Sequence, residues 1–385
     1  MDKKKSSKNM INILIILVLS IVVVFFFVKD DFNGVVDVLG KAQWSFVVLA
    51  LGFFSLMYIF DALILLVLTR KTKKDYTFKE AMSVAMVGSF FSAITPSATG
   101  GQFSQAIVYE KQGVPVEKSG SILILNFIAY QVVIVLFCFV TIFFRPQDGL
   151  NFVELFGYKI NFLILVFVGF IINILGIFGV LFLAYFKGVQ KFVKWICKLL
   201  FKMHVVKDLD KTIEKVDNKI YKLRCELKDV KGNIRYFITA CLLYVVRYGI
   251  YFAIPFFAAL ALNVPLRPRD FFIAIILSSY VHLIASFIPI PGASGGAEFF
   301  FGMMFSNYFG DPTLLASGML IWRFVTFYFG LIIGFFVVFN FNHKLSCNLF
   351  TEINDNYRWF VVNRKYAYKE RKGIKEECSN NVEWW

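Results

Sequence analysis

The sequence predicts an all-α polytopic membrane protein with about six full transmembrane helices and two re-entrant helical hairpins in an inverted repeat. The first observation is composition, because 58% of the 385 residues are hydrophobic and only 17% are charged, unlike a soluble domain. The second is that six stretches reach the length of about 20 apolar residues needed to cross a bilayer core. The third is that two further apolar stretches are each interrupted by a cluster of Pro and Gly.

The six predicted spans are separated by polar or basic segments. They lie at about 10–28, 44–69, 119–143, 160–186, 234–262 and 314–341. No small-x-small cleavage site follows the first span, so we expect it to be an anchor and not a signal peptide. Most of the 41 Lys and Arg fall in segments on one side, which predicts cytoplasmic N- and C-termini. The net charge of +15 indicates a face attracted to anionic headgroups, and nucleic-acid binding is the poorer interpretation.

The chain is accordingly divided into a basic cytoplasmic N-terminus (1–9), a membrane domain (10–341) and a basic cytoplasmic tail (342–385). The membrane domain holds two repeats, at about 44–186 and 234–341. Between them, the linker at about 187–232 has the spacing of a basic amphipathic helix followed by a heptad seam. This linker either packs against its own membrane domain or forms an intermolecular coiled coil.

Two interrupted apolar stretches, at about 80–112 and 270–309, are too short on each side of the interruption to cross a membrane. Pro96-Ser-Ala-Thr-Gly-Gly101 and Pro291-Gly-Ala-Ser-Gly-Gly296 share the pattern P-x-A-[ST]-G-G, which indicates an internal duplication. The first hairpin lies between inner segments and the second between outer ones. We therefore expect the hairpins to enter from opposite faces, as in transporters with inverted repeats and a substrate site near the midplane.

In each hairpin the second half-helix is expected to begin at the Gly-Gly pair, with Thr99 or Ser294 as its N-cap. Thr99-Gly-Gly-Gln102 also has the form of a capping box. A helix N-terminus with glycines allows close approach of an anion, and a lipid phosphate is the anion at hand. The alternative is that the glycines only let the two hairpin tips touch.

Four charged residues lie within apolar stretches: Asp61, Arg247, Glu298 and Arg323. Each costs at least about 2.5–3.5 kcal/mol at a helix centre unless it is paired or hydrated. We expect Glu298 to pair with Arg323 and Asp61 with Arg247. These are either fixed structural pairs or part of a site, since arginine can hold a phosphate by two parallel bonds.

The charges of the second repeat have no counterparts in the first, which offers Gln102, Gln105, Asn126 and Gln131 instead. A site between the repeats would thus have one polar wall and one charged wall. His282 is either a proton carrier or a hydrogen-bonded residue of the helix packing. The sequence has no nucleotide-binding, hydrolase or metal-ligand motif, so we expect no cofactor and no metal.

Two stretches carry a family resemblance: "ITPSATGGQ", and "IPIPGASGGAE" followed by "LIWRFVTFYFGLIIG". They resemble the signatures of the lysylphosphatidylglycerol synthase transmembrane region, the flippase-like membrane domain of multiple-peptide-resistance proteins, over roughly residues 10–340. The resemblance implies a bacterial inner-membrane protein. In full-length members a cytosolic domain transfers lysine from lysyl-tRNA to phosphatidylglycerol, and the membrane domain moves the product to the outer leaflet. About 44 residues follow the last span, so we expect no transferase domain here.

The resemblance implies that particular residues line a pathway for lipid. Thr99 and Ser294 are included with them because they are the predicted N-caps. Its expected residues are Pro96, Thr99, Gly100, Gly101, Gln102, Pro291, Ser294, Gly295, Gly296, Glu298 and Arg323. The leading hypothesis is a translocase for an anionic or aminoacylated phospholipid such as lysylphosphatidylglycerol, which would contribute to resistance against cationic antimicrobial peptides. The alternatives are a membrane component of aminoacyl-lipid or glycolipid synthesis with a separate catalytic subunit, and a scaffold. A homo-oligomer or a separate synthase subunit is the expected protein partner.

Overall fold

The computed structural model describes residues 31–143, 152–155, 158–161, 234–286, 288 and 290–340, with isolated positions between 164 and 217. The predicted first span and the tail lie outside the described residues, as does the linker apart from a few positions. The chain divides into two compact units, Met1–Gly179 with Ile234–Val338, and Val180–Asn233 with Phe339–Trp385. The site described below belongs to the first unit.

The described chain is helical apart from one short antiparallel hairpin. In chain order the elements are α1 (Phe32–Gly40), α2 (Trp44–Arg70), α3 (Phe78–Ile94), α4 (Thr99–Lys111), α5 (Val116–Phe143), β1 (Phe152–Leu155), β2 (Tyr158–Asn161), α6 (Ile234–Phe252), α7 (Ile254–Ala261), α8 (Asp270–Ala285), α9 (Gly296–Phe309), α10 (Pro312–Arg323) and α11 (Phe329–Asn340). A π-helical turn, Phe324–Tyr328, joins α10 to α11.

Four helical segments in the described part of the chain are long and apolar enough to cross a membrane. They are Trp44–Arg70, Lys118–Thr141, Ile234–Ala261 and Pro312–Val338. Their positions agree with the second, third, fifth and sixth predicted spans. β2 occupies the first residues of the span predicted at 160–186, and beyond it the structure describes only separate helical positions between 164 and 175.

The two interrupted stretches form helical hairpins. α3 packs against α4 in the first, and α8 packs against α9 in the second. Each hairpin has a break between its helices, which we call the first break (residues 95–98) and the second break (residues 290–295). The two breaks contact each other, so the tips of the hairpins meet.

Both breaks follow the same backbone path at matched positions. Each opens with a proline that begins a 3₁₀ turn after an extended residue. The next two residues are left-handed in both breaks, with φ of 51° and 54° at Ser97 and Ala98 and of 61° and 50° at Gly292 and Ala293. A left-handed backbone is uncommon for residues with a side chain. The match in sequence is thus accompanied by a match in conformation.

Polar side chains close the base of the first hairpin. The hydroxyl of Thr77 accepts from the backbone N–H of Glu80, and the Glu80 carboxylate accepts from the N–H of Thr77, which is a capping box. Tyr76 is buried and donates to Oε1 of Gln112. Burial raises the pKa of Tyr76, so the phenol keeps the proton that it donates. Nε2 of Gln112 donates to Ser83 at 3.0 Å and ties the end of the hairpin to its start.

Close approach of backbone explains one glycine of the repeated motif. A Cβ on Gly101 would lie 2.8 Å from the backbone oxygen of Gly88 and 1.9 Å from Oγ of Ser92. Since a backbone oxygen in a helix cannot rotate away, any side chain at this position must push α4 away from α3. Gly101 therefore sets the distance between the two helices of the first hairpin.

We expect Gly101→Ala to destabilise the protein by about 1–3 kcal/mol, the usual cost of overpacking. Thermal unfolding of the purified protein in detergent measures the effect. Gly52→Ala is the matched control, because a Cβ there meets nothing within 4 Å and alanine is favoured over glycine inside a helix by roughly 0.5–1 kcal/mol. An equal loss of stability in both variants would contradict the proposed close approach.

Candidate functional site

A cavity of about 780 Å³ is lined by residues of both breaks and of the apolar helices around them. Ser97 and Ala98 contribute from the first break, and Gly292 and Ala293 from the second. Its wall is rich in amides, hydroxyls and charges. The polar lining residues outside the breaks are Asp61, Ser89, Ser92, Thr99, Gln102, Gln105, Asn126, Tyr130, Gln131, Asn173, Tyr244, Arg247, Tyr248, Tyr251, Ser278, Ser286, His282, Arg323 and Thr326.

The first predicted ion pair joins Asp61 on α2 to Arg247 on α6. Two parallel bonds hold it, Nε to Oδ1 at 2.6 Å and Nη2 to Oδ2 at 3.2 Å. The guanidinium also lies over the ring of Tyr248, 4.7 Å from its centre, where the negative face of the ring favours a cation. The side chains are 16% and 19% exposed for Arg247 and Asp61. Both line the cavity, so this pair is accessible to a ligand.

The second predicted ion pair, Glu298 with Arg323, is more deeply buried. Nε of Arg323 is 2.5 Å from Oε1 of Glu298, and the side chains are 7% and 3% exposed. Nη2 of Arg323 donates to the backbone oxygen of Gly292 at 2.9 Å. Oε2 of Glu298 accepts from the backbone N–H of Gly295 at 2.8 Å. The prediction of both pairs is confirmed, and this second pair also binds the backbone of the second break.

The predicted caps are wrong at both helices. α4 begins at Thr99 itself, because Ala98 is left-handed and takes the N-cap position. The hydroxyl of Thr99 donates back to the Pro96 oxygen at 3.0 Å, and it is Thr95 whose hydroxyl accepts from the N–H of Gly100, at 2.9 Å. The capping box expected for Thr99 and Gln102 is therefore not formed. The hydroxyl that accepts from the start of α4 belongs to Thr95, which precedes the motif.

At α9 the N-cap is Gly295 and not Ser294. The Ser294 hydroxyl donates to the oxygen of Pro291 at 3.2 Å. Gly295 has a φ of 89°, which glycine adopts without steric cost. The carboxylate of Glu298, in the first turn, already occupies the positive end of α9. An external anion therefore cannot bind at this N-terminus, although the sequence predicted an anion site there.

The predicted pathway residues separate into two groups. Thr99, Gln102 and Arg323 line the cavity, as do Asp61 and Arg247. The other predicted residues are absent from its lining and shape or support the two breaks: Pro96, Gly100, Gly101, Pro291, Ser294, Gly295, Gly296 and Glu298. The polar wall expected from the first repeat is present, since Gln102, Gln105, Asn126 and Gln131 all line the cavity.

Sequence reasoning missed a group of tyrosines that line the cavity. Tyr244, Tyr248 and Tyr251 follow one another on α6, and Tyr130 on α5 lies 5.9 Å from Tyr248 and 6.2 Å from Tyr244 between ring centres. The hydroxyl of Tyr244 donates to Oδ1 of Asn126 at 2.8 Å. Their spacing of four and three residues places the tyrosines of α6 on one helix face with Arg247 beside them, a signal that was present in the sequence.

The residues described in the structure include no cluster of three His, Cys, Asp or Glu that could hold a metal ion. The polar groups of the described cavity lining can form hydrogen bonds and ion pairs. Amides and phenols can bind hydroxyl and phosphate oxygens, and the paired arginines and carboxylates can exchange partners with a charged ligand.

The fold and the cavity define a helical membrane protein with a polar site bounded by two interrupted hairpins. The sequence profile of the lysylphosphatidylglycerol synthase TM region matches residues 11–334. The chain belongs to this family, and the resemblance found in the two motifs is confirmed. A search of curated proteins found no match.

The difference in burial between the ion pairs predicts different effects on stability. Removing one partner of a buried pair leaves an uncompensated charge and costs about 3–5 kcal/mol. We expect Glu298→Ala to approach that cost, and Asp61→Ala to cost less because Arg247 is more exposed than Arg323. Thermal unfolding in detergent of both variants beside the wild type checks this ranking, and the reverse order would contradict it.

Proposed function

We propose that this protein moves phospholipid headgroups between the two leaflets of a bacterial inner membrane. The observation that carries the proposal is the polar cavity between the two breaks, in a membrane domain whose helices are otherwise apolar. A headgroup crossing a membrane needs a hydrated or hydrogen-bonding route, because burial of a charged phosphate in hydrocarbon is strongly unfavourable. The acyl chains stay in the bilayer.

The walls of the cavity suit a phosphodiester and its polar substituents. Arg247 and Arg323 are the cations of the wall, and Arg247 is the more exposed of the two. Gln102 and Gln105 provide neutral donors and acceptors in the same cavity wall. Since Glu298 closes the N-terminus of α9, the proposed phosphate contacts lie with the arginines and the first break.

The arrangement of the hairpins supports a route through the membrane. In the proposed topology the N- and C-termini are cytoplasmic, the repeats are inverted, and the hairpins enter from opposite faces. Their tips would then meet near the midplane, and the contact between the two breaks is what such an arrangement requires. Family membership favours lysylphosphatidylglycerol as a candidate lipid, with resistance to cationic peptides as the benefit.

Reconstitution tests the proposal. We expect the purified chain in liposomes to move fluorescent phosphatidylglycerol or lysylphosphatidylglycerol between leaflets, measured by chemical quenching of the label in the outer leaflet. Ala285→Trp should slow this movement at least tenfold, because Ala285 lines the cavity and an indole would fill part of it. Leu242→Trp is the matched control, since Leu242 is 62% exposed on α6 and absent from the cavity lining.

Two outcomes would contradict the proposal. One is that the wild type moves neither lipid above the rate of protein-free liposomes. The other is that Ala285→Trp is as fast as Leu242→Trp. Formation of lysylphosphatidylglycerol by the chain alone, given charged tRNA, would favour the enzyme alternative instead.

A further inference from the structure

The charges of the described residues around the cavity cancel. Asp61 neutralises Arg247, and Glu298 neutralises Arg323, with both Glu298 oxygens held by protein donors. An anionic headgroup that enters this cavity therefore brings one negative charge, and the described residues of its wall offer no unpaired arginine or lysine to balance it. An unbalanced charge in a poorly hydrated site is costly, so anion entry requires either a broken ion pair or an added positive charge.

His282 is a titratable residue of the cavity wall that belongs to neither pair. It lies on α8, and its ring packs against Tyr248, Tyr251 and Phe252 with centres 5.5–5.7 Å apart. Its Nε2 atom is buried and has no hydrogen-bond partner among the residues that the structure describes. An unsatisfied buried polar atom is rare in native proteins and calls for an explanation.

The groups from the neighbouring elements are poor candidates for a proton exchanged near neutral pH. α8 packs against α5, α6, α7 and α9. α5 presents Tyr130 to the cavity, and α6 presents Tyr244, Arg247, Tyr248 and Tyr251. Tyrosine and arginine ordinarily titrate well above pH 7.

The remaining neighbours do not supply the proton either. α7 has no titratable side chain. On α9, Glu298 is paired with Arg323, and Tyr308 donates to the backbone oxygen of Asp270 at the start of α8. Across the cavity, Asp61 is held by Arg247. Histidine is the side chain whose ordinary titration lies near neutrality.

We propose that His282 takes up one proton together with each anionic headgroup, so that the anion and the proton cross the membrane domain as an electroneutral pair. The neutral imidazole accepts the proton on its unprotonated ring nitrogen, the imidazolium balances the phosphodiester, and the proton leaves with the headgroup on the other side. This inference rests on the proposed lipid movement. It also predicts that only anionic lipids are coupled to a proton, because lysylphosphatidylglycerol carries its own ammonium groups and needs no added proton.

A pH gradient across proteoliposomes tests the coupling. With one proton per lipid, fluorescent phosphatidylglycerol should redistribute between leaflets by up to about tenfold for each pH unit, toward the alkaline side. Dissipating the gradient with a proton–potassium exchanger should abolish the shift. A potassium diffusion potential should have little effect, because the coupled movement carries no net charge. Zwitterionic phosphatidylcholine and lysylphosphatidylglycerol should not respond to the pH gradient.

His282→Gln keeps a similar volume and polarity but cannot be charged. We expect this variant to lose the response to the pH gradient and to respond to the potential instead. His343→Gln, in the tail predicted to be cytoplasmic, is the matched control and should behave as the wild type. Calorimetric binding of phosphatidylglycerol in two buffers of different protonation enthalpy gives a second measurement, with about one proton taken up by the wild type and none by His282→Gln.

The outcomes separate the inference from the proposed function. Lipid movement by the wild type with no effect of the pH gradient, or a full effect in His282→Gln, would overturn the coupling and leave translocation intact. If His282→Gln does not fold, absence of proton uptake by the wild type on lipid binding would overturn it. If the wild type moves no lipid at all, the proposed function fails, and the coupling fails with it.

Discussion

A helix that is interrupted in an apolar environment leaves backbone N–H and C=O groups that lipid cannot satisfy. The rest of the site depends on how the protein satisfies them. At the second break the partners are charged, since Gly295 donates to Glu298 and Gly292 accepts from Arg323. At the first break the partner is a neutral hydroxyl, that of Thr95, which accepts from the backbone N–H of Gly100, the first residue of the glycine pair. One backbone bend is thus stabilised in two chemical ways.

This difference explains why the two repeats contribute unequal walls to the cavity. The charges of the second repeat hold a backbone in place, and their side chains are almost completely buried. The Asp61–Arg247 pair binds no break and remains partly exposed to the cavity. The Glu298–Arg323 pair therefore has a structural role in the second break, whereas the Asp61–Arg247 pair is the one that a ligand in the cavity could reach.

Sequence reasoning predicted the features that depend on local composition and charge balance. The length of the apolar stretches predicted the four spans in the described part of the chain. The clusters of Pro and Gly predicted the two hairpins with their breaks. The two ion pairs could be predicted because two acidic and two basic residues within apolar stretches can neutralise one another in only a few ways. The caps were missed because the left-handed Ala98 moves the start of α4 to Thr99 and leaves capping to Thr95. Such a shift depends on tertiary contacts and not on residue type. The tyrosines were missed because aromatic residues are common throughout this chain.

The contact between the breaks links the two hairpins mechanically. The oxygen of Gly292 is bonded to Arg323, and a Cβ on Gly292 would lie 2.3 Å from the ring of Phe327, so the second break is fitted closely to α10 and the π turn that follows it. A π turn is a rare, wider helical turn that is frequently found at functional sites. Arg323 and Phe327, one on each side of the start of this turn, both contact Gly292 of the second break, which in turn touches the tip of the first hairpin. Through its bond to Gly292 and the contact between the breaks, Arg323 connects α10 to the tips of both hairpins.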